Sequence, residues 1–65
     1  MPHLYSVTFK FNLPIRPNKT VEVTGENKEE VLENAHVAAS KRGVIFGEYA
    51  YNEKPLSVSL VKENV

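Results

Sequence analysis

The chain has no cysteine and no aspartate, its three glycines are scattered, and its apolar residues never run on for more than a few positions. Each absence removes a class of protein. Without cysteine there is no disulfide framework and no thiolate nucleophile. Gly25, Gly43 and Gly47 match no phosphate-cradling loop. Nothing approaches the roughly 18 apolar residues of a membrane helix, and no basic-then-apolar leader follows Met1, so the expectation is a cytoplasmic protein with no membrane role. On that expectation Asn18-Lys19-Thr20 is a chance match to the glycosylation triplet.

Net charge is zero, which weakens the simplest case for nucleic acid, yet the charges are unevenly spread. Residues 1–20 carry Lys10, Arg16 and Lys19 without an acid, whereas residues 21–34 carry Glu22, Glu26, Glu29, Glu30 and Glu33 against Lys28 alone. The molecule is therefore expected to be electrically lopsided. At 65 residues it forms one domain spanning 1–65. A core of this size contributes roughly 3–5 kcal/mol of net stability.

What the chain does have is alternation. In Tyr5-Ser6-Val7-Thr8-Phe9-Lys10-Phe11-Asn12-Leu13, apolar and polar residues exchange at every step, which places Tyr5, Val7, Phe9, Phe11 and Leu13 on one face of a strand near 4–13. Pro14 and Pro17 break the run, and Thr20-Val21-Glu22-Val23-Thr24 alternates again, so the two strands make a hairpin. Asn27 is an N-cap with Glu30 three residues on, a capping-box spacing. A helix over 28–42 follows, with Val31, Leu32, Ala35, Ala38 and Ala39 on one stripe and Gly43 as terminator. Residues 44–51 fit neither period and read as a short strand or an ordered aromatic loop, and Asn52-Glu53-Lys54-Pro55 is a turn by composition. Residues 56–61 alternate once more, with Leu56, Val58 and Leu60 expected to face the core.

A right-handed crossover from the second strand through the helix sets the last strand beside the first. The expected fold is α+β: a small antiparallel sheet of three to four strands, ββαβ or ββαββ, with one helix on one face. The other face is left to water.

Catalysis is not expected. The two histidines are His3, near a terminus, and His36, on a convex helix surface one turn from Ser40; a metal would have to use His36 with Glu33, aided by His3. That is too little for a nucleophile with an oriented base or for a closed metal site, and no cofactor is expected. Binding remains. Tyr49 and Tyr51, residues of the type that anchors interfaces, and the acidic helix start Glu26, Glu29, Glu30 and Glu33 are the candidate contacts for a protein partner. The alternative is nucleic acid on a basic patch of Lys10, Arg16, Lys19, Lys41 and Arg42. A homodimer through a strand edge or the open sheet face is a further expectation, because a marginal core gains stability from a partner.

Thr20-Val21-Glu22-Val23 followed by Asn27, Glu29, Glu30 and Ala35, a strand leading into a capped helix, resembles a generic pattern of many small proteins of phages and mobile elements. The resemblance covers about 20 residues and transfers no functional residue. It implies a protein that works by binding, as an inhibitor of a host protein would.

Overall fold

The computed structural model describes residues 2–64. Strand β1 runs His3–Phe9 and β2 runs Lys19–Gly25, paired antiparallel with Val7 opposite Val21 and Tyr5 opposite Val23. Directly opposed residues share a face, so these valines and Phe9 form the inward side that the alternation requires. Helix α1, Lys28–Lys41, lies on it, and β3, Ser57–Lys62, pairs antiparallel with the far side of β1. The sheet order is β2-β1-β3 and the chain order ββαβ. This is a small α+β fold with β1 as the central strand.

Local chemistry sets the ends of α1. Asn27 Oδ1 accepts from the Glu30 N–H at 2.9 Å, while the reciprocal Glu30 side-chain bond of a full capping box is not made among the described residues. At the other end Gly43 takes φ +86°, Gly43 N donates to Ser40 O, and Val44 N reaches back to Ala39 O, a Schellman closure that ties Val44 into the core. The helix therefore ends one residue short of the expected 42, with Arg42 as its C-cap. Val31, Ala35 and Ala39 are fully buried, and the two alanines let the helix come close to the sheet. At Gly25 that approach is tightest, since a Cβ there would meet Val31 Cγ2 at 2.7 Å and Val31 N at 2.9 Å.

Two expectations are corrected. The first strand stops at Phe9, not Leu13, because its partner β2 begins only at Lys19 once Pro14 and Pro17 are past. Beyond Phe9 the chain bonds a different neighbour: Lys10 O accepts from Asn52 N, Asn12 N donates to Ala50 O, and Phe11 forms an isolated bridge with Tyr51. Phe11 stays buried by this route, while Leu13 is exposed.

The second correction concerns β3. Val58 lies opposite Val7 and Leu60 opposite Tyr5, so both are on the helix side of the sheet. Yet Leu56, Val58 and Leu60 are 58, 39 and 49% exposed. The reason is width: a helix about 10 Å across spans two strands set about 4.8 Å apart, not three. Helix α1 packs on β2 and β1 and makes no contact with β3.

Candidate protein-binding site

Residues 44–52 form an ordered aromatic loop folded against the end of β1. Val44-Ile45-Phe46 fits no period because its residues serve different neighbours. Val44 closes the helix, Phe46 packs edge-on to Phe9 with ring centroids 5.1 Å apart, and Ile45 points away from the core. Gly47 then turns the chain, its N–H bonded to Tyr51 O and its carbonyl accepting from Ala50 N and Asn12 Nδ2.

His36 pins this loop to the helix. Its ring lies stacked on Phe9, 5.6 Å between centroids, and edge-on to Phe46 at 5.1 Å. Its Nε2 donates to the Glu53 carbonyl at 2.7 Å. The expected convex, uncovered position for His36 is thus replaced by a half-buried one beneath residues 46–53. His3, at the other end of the helix axis, accepts from Asn64 N through Nδ1. Among the described residues no three His, Cys, Asp or Glu side chains gather in a metal-ligating group.

The two candidate tyrosines part company. Tyr51 is only 6% exposed, its ring packs edge-on to Phe11 at 4.9 Å, and its hydroxyl donates to Pro17 O at 3.2 Å. It joins the proline loop to the aromatic loop. Tyr49, by contrast, is 76% exposed. Between them opens a depression of about 420 Å³ lined by Phe11, Arg16, Gly43, Ile45, Tyr49 and Tyr51.

Arg16 sits on the rim with its guanidinium carbon 5.9 Å from the Phe11 ring centroid. That is the far limit of a cation–π contact. Among the described residues it has no carboxylate partner. Arg16 and Tyr49, which the sequence assigned to rival sites, therefore share one depression.

The remaining candidates divide by end of the molecule. Glu26, Glu29, Glu30 and Glu33 cluster at the start of α1, beside the Gly25 end of β2. Lys41 and Arg42 lie at the helix C-terminus next to Gly43, and Lys19, the strand partner of Phe9, and Lys10, the residue after Phe9, lie at the same end of the sheet. The 14-residue helix separates the two groups by roughly 20 Å. Acid at the N-terminus and base at the C-terminus also suit the helix dipole, which accounts for part of the segregation without any partner.

Ile45 is the lining residue that sequence reasoning missed. Nothing in the sequence separates it from Val44 and Phe46, its neighbours in the same gap between Gly43 and Gly47, which do pack into or against the core. Among the described residues no helix is long and apolar enough to cross a membrane. Comparison with protein-family models, with curated proteins and with solved structures found no match to this chain.

Proposed function

We propose that the protein is a non-enzymatic binding module whose contact for another protein is the depression at Arg16, Ile45 and Tyr49. One observation carries this reading: Ile45 and Tyr49, 72 and 76% exposed, stand beside an arginine with no carboxylate partner among the described residues, on the fixed base of Phe11 and Tyr51. Tyrosine and arginine are the residue types that dominate binding hot spots, and a base already held by ring packing and hydrogen bonds loses little freedom on association. The depression is open and holds no nucleophile paired with a base, which favours recognition over catalysis. Charge favours a partner segment that brings a carboxylate to Arg16 and an apolar side chain to Ile45. An accessory or inhibitory role toward a host protein, in the cytoplasm, belongs to the same reading and agrees with a chain free of cysteine.

Nucleic acid is the second reading, favoured by one specific feature: Lys10, Arg16, Lys19, Lys41 and Arg42 come to the end of the molecule where Tyr49 is exposed. Salt separates the two. Neutralised phosphates release counterions, so nucleic-acid affinity falls by orders of magnitude between about 50 and 200 mM salt, whereas an interface anchored by Tyr49 and Ile45 changes far less. The experiment is affinity capture from the native host with mass spectrometry, with and without nuclease. The expected result is one nuclease-resistant protein partner, lost with Tyr49→Ala or Ile45→Ser and retained with Lys19→Ala/Arg42→Ala. A nuclease-sensitive profile with the opposite mutant pattern overturns the reading.

A further inference from the structure

The two edges of the sheet are protected unequally. Strand β2, one edge, carries exposed Lys19 and Glu22, charges that discourage another strand from adding to it. Strand β3, the other edge, is free on its outer side, and its one charge, Lys62, stands at its last position; from Leu56, just before the strand, to Val61 the chain holds no charged residue and no proline. Its helix-side residues Val58 and Leu60, and Leu56 just before the strand, are all substantially exposed. Unpaired backbone and uncovered apolar side chains thus coincide on one strand.

The order of residues says what fits there. Leu56-Ser57-Val58-Ser59-Leu60 reads the same in both directions. An antiparallel neighbour runs the strand backwards, so a second copy centred on Val58 sets Leu56 against Leu60, Ser57 against Ser59 and Val58 against Val58. Like meets like at every step. Val58 and Leu60 of both copies form an apolar stripe on the helix side, and the serines face each other as hydrogen-bonding pairs on the other. The register is also bounded, because the ladder with β1 shifts at Leu4/Tyr5, leaving Val61 as an extra residue just past the palindrome.

We infer that β3 is a self-association edge, pairing with β3 of a second copy about a two-fold axis at Val58 to make a continuous six-stranded sheet. The pairing is isologous, as a two-fold contact between identical chains must be. It uses no residue of the Arg16–Tyr49 depression and does not rest on that reading. A strand edge of this length lies at the small end of specific interfaces, so the association is weak and concentration-dependent.

Sedimentation equilibrium of the full chain from about 10 µM to about 1 mM tests it, at concentrations where weak interfaces of this size begin to fill. The expected mass rises from 7.3 kDa toward twice that value, and the rise is lost with Val58→Lys, which sets like charges face to face on the axis. Geometry is read by cross-linking in a chain that has no other cysteine. Under mild oxidation Val58→Cys links to itself, while Ser57→Cys and Ser59→Cys each stay single and link only when mixed. The serine variants are exposed and serve even where Val58 is not tolerated, with circular dichroism as the control for folding. A constant 7.3 kDa across the series overturns the inference, as does a dimer whose mixed serine-site cysteines fail to link, since that dimer would be held by stacked faces.

Discussion

The half of the sheet under the helix and the half beside it are written in the same alternating code and meet opposite fates. In β2, Val21 and Val23 are buried beneath α1; in β3, Val58 and Leu60 sit on the same side of the same sheet and remain wet. Alternation therefore reports which side of a sheet a residue faces, and the number and width of covering elements decide whether that side is core. With one helix and three strands, one strand must go uncovered.

This contrast can be broken from either half. The largest effect is expected at Phe9, which is fully buried and touches both the helix histidine and the aromatic loop. Phe9→Ala should cost about 3–5 kcal/mol, comparable to the whole stability of a chain this small. Circular dichroism should show a largely unfolded variant; a native spectrum with cooperative melting would contradict the assigned core. Gly25→Ala comes next. A methyl group there meets the backbone nitrogen of Val31, which cannot swing aside, and the expected loss is about 1–3 kcal/mol, read as a lower denaturant midpoint at unchanged slope. The smallest effect is expected on the uncovered half. Leu60→Lys, measured at low concentration where the chain is monomeric, should change stability by no more than about 0.5 kcal/mol. A loss there as large as at Gly25 would mean that Leu60 is packed after all.

The fold was legible where local chemistry speaks for itself. Asn27 and Gly43 bracket the helix to within a residue, and the valines of β2 announce their inward face. The β3 side chains were legible in direction but not in burial, because no residue of β3 encodes where the helix axis will lie. Residues 44–55 were opaque for a different reason. Their order comes from bonds to Lys10, Asn12, Pro17 and His36, all distant in sequence, and a window of local periodicity cannot contain such partners. Of the candidate site, Tyr49 and Arg16 were named from residue type alone. Their meeting in one depression depends on the proline loop folding back to Tyr51, which only the three-dimensional path reveals.

The register of β1 with β3 has a kinetic consequence. Thr8 pairs with Ser57, nearly fifty positions later, whereas it pairs with Thr20 across a short hairpin. Closing the longer loop costs more chain entropy, and no buried core side chain comes from β3 to reward it. Strand β3 is then expected to join last during folding and to show the weakest amide protection against hydrogen exchange of the three strands. It can detach by a sub-global opening that leaves the valine and phenylalanine cluster intact. On that expectation, exchange would divide the protein into a two-strand-and-helix body and a C-terminal ribbon that opens on its own.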